Sequence, residues 1–190
     1  MTAAYSGKNI GQYLQPGKRA HLVGIGGVSM RPLGLVLRSM GMEISGSDMN
    51  ASVAAEELTA NGITVHIGHS ADNITGADCV IRTAAAHNDN PEIAAARAAG
   101  IPIFERAQAW GYIMRAYKNA ICVAGTHGKT TTTSMLTHIF IEAQRDPTVM
   151  MGGYLPLLHA GHRVGSGDTI IMESCEYCDS FLNFYPTVAI

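Results

Sequence analysis

Two glycine-rich turns, each between a short apolar run and a helical pattern, constrain this chain more than any other feature. Gly24-Ile25-Gly26-Gly27-Val28-Ser29 follows Ala20-His21-Leu22-Val23. Gly125-Thr126-His127-Gly128-Lys129-Thr130 follows Ile121-Cys122-Val123-Ala124. A strand that runs through glycines into a helix leaves the helix's first N–H groups without intrahelical partners. Those groups converge at the positive end of the helix dipole, so each turn is a phosphate-type site.

The segments between the turns alternate in the same way. Met30, Leu33, Leu37 and Met40 repeat at helical spacing, with Pro32 tolerated in the first turn and Gly41 as a stop. A strand at 42–45 leads to Gly46-Ser47-Asp48, then a helix around Val53–Ala60 capped by Asn50 or Ser52, then a strand at 63–66. Cys79-Val80-Ile81 reads as a buried strand, and Asn90-Pro91-Glu92 opens a helix with a cap, a proline and an acid. A strand at 101–104 precedes a helix in which Trp110, Ile113, Met114 and Tyr117 share a face. After the second turn, Met135, Leu136, Ile139, Phe140 and Ala143 form an apolar stripe. Gly152, Gly153, Gly161, Gly165 and Gly167 mark a loop-rich stretch before a strand at 169–172. Alternation of this kind predicts an α/β protein built on parallel sheets. The expected domains are 1–117, Rossmann-like, and 118–190, the start of a P-loop ATPase domain. The closing Thr187-Val188-Ala189-Ile190 reads as a buried-type strand, so a truncated chain is expected.

Apolar residues make up 47% of the chain, enough for a real core, and the formal net charge of −2 argues against a nucleic-acid surface or polybasic membrane patch. No stretch approaches the roughly 18 continuous apolar residues of a membrane span. Four cysteines, Cys79, Cys122, Cys175 and Cys178, are too few for a disulfide framework, so a reducing cytoplasm is expected. Cys175-x-x-Cys178 is half a zinc site with no second half, and is assigned neither zinc nor redox chemistry.

In the second turn Lys129 is placed to reach the β- and γ-phosphates and the Thr130 hydroxyl to ligate Mg²⁺, although Val123 stands where GxxxxGK[ST] asks for glycine. The first turn matches two glycines of GxGxxG and has Ser29 at the third. Asp48 falls where a dinucleotide fold sets an acid against a ribose hydroxyl. A dinucleotide and a different diphosphate ligand both fit.

The shortened second turn, continued by Thr130-Thr131-Thr132, resembles the nucleotide loop of the Mur ligase family. Gly24-Ile25-Gly26-Gly27, Gly46-Ser47-Asp48, Ile67-Gly68-His69, Asp89-Asn90-Pro91-Glu92, Arg106-Ala107-Gln108 and 173–182 extend the resemblance over nearly the whole chain. It points to the branch that joins L-alanine to UDP-N-acetylmuramate at the expense of ATP, through an acyl phosphate, in peptidoglycan synthesis. It implies that Gly24, Gly26 and Gly27, with the backbone of Val28, Ser29 and Met30, hold a UDP diphosphate. Asp48, His69, Thr83 and Arg106 would contact the nucleotide or sugar. Gly125, Thr126, His127, Gly128, Lys129, Thr130 and Thr131 would hold ATP, with His127 orienting phosphate. Thr130 and Glu173 would ligate Mg²⁺, and Lys129, Thr130 and Glu173 would be the catalytic set.

Two segments depart from the family: Glu173-Ser174-Cys175-Glu176 replaces Glu-Ala-Asp-Glu, and Arg82-Thr83-Ala84 replaces a Ser-Ser pair. L-alanine contacts are expected beyond Ile190, so the chain alone is expected to be inactive as a ligase. The rival readings are an NAD-dependent oxidoreductase using the first turn and Asp48, and a non-enzymatic UDP-sugar-binding module.

Overall fold

The computed structural model describes residues 9–174 and 177–190, the side chains of 177–179 excepted. The chain divides into two compact units, Met1–Ala109 and Trp110–Ile190, ahead of the 117/118 boundary expected from sequence.

In the first unit, β1 (Arg19–Val23), β2 (Glu43–Asp48), β3 (Thr64–Ile67), β4 (Cys79–Arg82) and β5 (Ile103–Glu105) form one sheet in the order β3-β2-β1-β4-β5. Every pairing is parallel. The connecting helices are α1 (Met30–Ser39), α2 (Val53–Ala60) and α3 (Pro91–Ala98). Ser52 caps α2 by accepting from Ala55 N, and Asn90 caps α3 by accepting from Glu92 N and Ile93 N, as short polar side chains do at helix starts. α1 buries Met30, Pro32, Leu33, Gly34, Val36 and Leu37 against the sheet. A Cβ on Gly46 would stand 2.7 Å from Leu22 O and 2.6 Å from Ile25 Cδ1, so glycine in β2 makes the room over which Ile25 folds. Strand order reverses at β1: the chain fills β2 and β3 on one side, then crosses to β4 and β5 on the other. In sheets of this kind the crevice for a ligand opens at that switch point, beyond the carboxyl ends of the strands.

α4 (Arg106–Met114) follows β5 and buries Trp110, Ile113 and Met114, as the expected face requires. Tyr117 lies past its end, where its hydroxyl meets Thr148 Oγ1 at 2.9 Å.

The second unit holds β6 (Asn119–Val123), α5 (Lys129–Glu142), β7 (Thr148–Leu155), β8 (Ala160–Arg163), β9 (Thr169–Glu173) and β10 (Val188–Ala189), with sheet order β10-β6-β9-β7-β8. β8 pairs antiparallel with β7, and the other pairings are parallel. Two sequence expectations fail here. The glycines expected in loops include strand residues: Gly152 and Gly153 lie in β7 and Gly161 in β8. A Cβ on Gly161 would stand within clash distance of Gly153 O, so these glycines permit close strand approach and do not mark turns. The apolar stripe on α5 is not the buried face either. Met135 is 61% and Ile139 62% exposed, whereas Thr133 and Thr137 are fully buried. A helix that approaches a glycine-bearing strand this closely selects short side chains. A Cβ on Gly153 would lie 2.8 Å from Thr130 Cγ2, and Thr137 satisfies its buried hydroxyl by donating to Thr133 O at 2.8 Å.

Cys79 and Cys122 are buried free thiols in β4 and β6. Burial pushes Cys79 up to about 12, so it is a poor nucleophile. Cys175 lies outside the described residues, as does Glu176. Among the described residues no helix is long and apolar enough to cross a membrane.

Candidate functional site

In the first unit a cleft of about 420 Å³ opens at the switch point, lined by Val23 and Gly24 at the end of β1, Asp48 and Met49 at the end of β2, His69 after β3, and Thr83 with 85–87, Asp89 and Asn90 after β4. That volume lies within the ordinary range for small-ligand sites. Four residues singled out in the sequence therefore meet here: Gly24, Asp48, His69 and Thr83.

Local backbone demands explain the loop. Gly24 has φ +80°, a conformation that favours glycine, and a Cβ there would stand 2.7 Å from Thr83 Cγ2. Gly24 N and Ile25 N both donate to Ser47 O, at 2.8 and 3.0 Å, which ties the turn to β2. Asp48 braces the same turn, since its Oδ2 accepts from Gly26 N at 2.9 Å while the side chain still lines the cleft. Gly27 N donates back to Gly24 O, and α1 begins two residues beyond Val28.

Other predicted residues do not line the cleft. Val28 is exposed, and the Met30 side chain is buried in the core while its N–H donates to Gly27 O at 3.0 Å. Arg106 Nη1 donates to Ser29 Oγ at 2.6 Å, joining the start of α4 to the start of α1. Ser29 accordingly makes no side-chain cap on α1.

Behind the cleft lies a polar cluster that sequence reasoning missed. The Glu92 side chain is fully buried. Ser47 Oγ donates to its Oε2 at 2.6 Å, Asn73 Nδ2 donates to its Oε1 at 2.7 Å, and His69 Nδ1 lies 3.0 Å from Oε2. His21 Nε2 stands 3.5 Å from Oε1, beyond a hydrogen bond, while its Nδ1 meets Ser45 Oγ at 2.9 Å. Burial by itself would raise the Glu92 pKa. The facing His21, Ser47 and Asn73 outweigh it, and the carboxyl is lowered to about 2. The sequence signal was the Asn90-Pro91-Glu92 helix start, which explains a cap but not an acid turned inward.

In the second unit the turn 124–128 joins β6 to α5, with Gly125 at φ +132° and Gly128 at φ +79°. Gly125, Thr126, His127 and Gly128 are exposed. Lys129 Nζ donates to Gly125 O at 2.7 Å, which sets the ammonium within the loop. Thr130 and Thr131 lie in the first turn of α5. Glu173 closes β9 opposite Val123 of β6. Its carboxylate borders Gly152, where a Cβ would stand 3.1 Å from Oε2, just as Thr130 borders Gly153. Glu173 Oε1 is buried with no hydrogen-bond partner, a condition that costs free energy unless a cation or donor completes it. No group of three or more His, Cys, Asp or Glu side chains suited to a metal occurs among the described residues. Mg²⁺ needs no such group, since it is commonly held by one or two protein oxygens together with phosphates and water. A threonine hydroxyl and a carboxylate beside a phosphate-type loop fit it.

The model of the Mur ligase family, catalytic domain, matches residues 19–118. The UDP-N-acetylmuramate--L-alanine ligase of Agathobacter rectalis is 53% identical over 171 residues, covering 90% of this chain and 37% of the relative. That of Clostridium perfringens is 46% identical over 173 residues, covering 91% and 38%. Among solved structures, the UDP-N-acetylmuramate-alanine ligase of Thermotoga maritima superposes with a TM-score of 0.82 at 35% identity, covering 90% of this chain and 40% of that one. The UDP-N-acetylmuramate:L-alanyl-gamma-D-glutamyl-meso-diaminopimelate ligase of Neisseria meningitides gives 0.83 at 26%, covering 91% and 59%. The chain thus spans less than two-fifths of the length of those two curated relatives.

Proposed function

The chain belongs to the Mur ligase family, and from that premise we propose that it supplies the UDP-sugar and ATP sites of a ligase joining L-alanine to UDP-N-acetylmuramate in peptidoglycan synthesis. The unit up to Ala109 holds the UDP-sugar, and the unit from Trp110 belongs to the ATP-binding domain. In the first unit the backbone of Val28 and Ser29 at the start of α1 faces the diphosphate, where the helix dipole favours an anion, while Gly26 N and Gly27 N hold the turn in shape through Asp48 Oδ2 and Gly24 O. Asp48, His69 and Thr83 line the cleft for the nucleoside and sugar, and Arg106 supports the loop through Ser29. In the second unit residues 125–131 cradle the triphosphate, and Lys129 and the Thr130–Glu173 pair offset its charge. When bound there, MgATP would supply its γ-phosphoryl group to the lactyl carboxylate with release of ADP, so that the amine of L-alanine could displace phosphate from the activated acyl group. The proposed setting is the cytoplasm, where thiols such as Cys79 and Cys122 stay reduced.

The observation that carries this reading is the buried, unpartnered Glu173 Oε1 beside a Gly-Lys-Thr loop. An oxidoreductase using the first turn has no role for it, and neither has a simple UDP-sugar-binding module. Calorimetric titration of the chain with UDP-N-acetylmuramate, MgATP and NADH tests the choice. Binding of the first two without NADH is the expected result. A response to UDP-N-acetylmuramate alone would favour the binding module, and a response to NADH alone the oxidoreductase.

A further inference from the structure

Among the described residues Glu92 is the one acid whose side chain is fully buried. Capping does not require it there, because Asn90 already accepts from Glu92 N and Ile93 N at the start of α3. An ionised carboxylate only accepts hydrogen bonds, so the hydrogen between Glu92 Oε2 and His69 Nδ1, 3.0 Å apart, belongs to the histidine. Ser47 gives its own proton to Glu92 at 2.6 Å, so its oxygen is a second acceptor for His69 Nδ1, at 3.0 Å. Two acceptors therefore fix which ring nitrogen carries hydrogen, and they fix the plane of the ring. His69 lines the cleft with its side chain 17% exposed. With Nδ1 turned inward, Nε2 is the polar ring atom left for a ligand.

We propose that Glu92 is a positioning residue for the nucleotide-sugar site: it holds His69 in the Nδ1–H tautomer and presents Nε2 to the bound ligand. In the neutral ring Nε2 then has only a lone pair, so it accepts from a ligand hydroxyl or ring N–H. Ser47 and Asn73 complete the assembly by occupying the remaining faces of the carboxylate. This inference rests on the UDP-sugar reading of the cleft. A supporting residue of this kind acts through the ring it orients, and loss of comparable outer partners of histidine ligands costs roughly 10–100-fold.

The experiment has two arms. In the first, ¹⁵N-histidine spectra of the wild-type chain report the His69 tautomer without any substitution. Hydrogen on Nδ1 is the expected result, and hydrogen on Nε2 alone overturns the proposal. In the second, UDP-N-acetylmuramate affinity is measured for wild type, Glu92→Gln, His69→Ala and the double variant. Glu92→Gln should lose about tenfold, and the double variant should bind no more weakly than His69→Ala. Losses that multiply would overturn the proposal while leaving the UDP-sugar reading intact. A wild-type chain that does not bind UDP-N-acetylmuramate overturns both. If Glu92→Gln does not fold, the wild-type tautomer decides the matter.

Discussion

Acidification should weaken the first unit through Glu92, by an amount that can be worked out. Burial alone would raise its pKa, but the donors around it prevail and the carboxyl moves from an ordinary 4.5 to about 2. A folded pKa below the unfolded one means stabilisation that is complete above about pH 4.5 and is lost as pH falls towards 2. At about 1.36 kcal/mol per unit the whole effect is about 3 kcal/mol, of which about 1 kcal/mol has gone by about pH 3.5. Hydrogen exchange of amides in β1 and β2 reports the first unit selectively. Comparing wild type with Glu92→Gln at each pH cancels the intrinsic exchange chemistry. It also cancels the other acids, such as Asp78, lowered by Arg19 N and the Lys18 ammonium. Between about pH 6 and pH 3.5, wild type should lose about 1 kcal/mol more opening free energy than the variant. Parallel losses in the two proteins would refute the account of Glu92 as a buried ionised group.

Gly26→Val should weaken UDP-N-acetylmuramate binding by at least about tenfold, because its Cβ would stand 2.8 Å from the Asp48 carboxylate that anchors the loop. MgATP affinity, measured in the same calorimeter, should not change. Gly153→Ala should do the reverse, pressing on Thr130 Cγ2 at 2.8 Å and weakening MgATP by about tenfold with UDP-N-acetylmuramate unaffected. Lys129→Ala should cost roughly 10–100-fold in MgATP affinity, the scale of a charge-assisted contact, with the melting temperature unchanged because its bond to Gly125 O lies at the surface.

The parts of this fold that were legible in the sequence are those where one local cue decides. Asn90 caps α3 as expected, and of the two candidates for α2, Asn50 and Ser52, it is Ser52 that caps, since a short acceptor before an apolar helix has few other uses. Strand, glycine turn and helix follow in order at both loops, and the four residues Gly24, Asp48, His69 and Thr83 do converge. Misreadings arise where partners distant in sequence set the outcome. Gly152, Gly153 and Gly161 look like loop residues until their neighbours across the strands are known. α5 buries Thr133 and Thr137 in place of Met135 and Ile139, because closeness to the sheet outweighs hydrophobicity. Glu92 resembles any first-turn acid in sequence. Its inward orientation depends on Ser47 and Asn73, far from it along the chain.

Residue-resolved amide shifts of the ¹⁵N-labelled chain test the central claim most directly, with each ligand added alone. UDP-N-acetylmuramate should move Gly24, Gly26, Asp48, His69 and Thr83, and leave Gly125 to Thr131 in place. MgATP should move residues 125–131 and Glu173, and leave the first loop in place. If both ligands move the same loop, or if NADH moves the first loop and UDP-N-acetylmuramate does not, the assignment of a UDP-sugar site to one unit and an ATP site to the other is wrong.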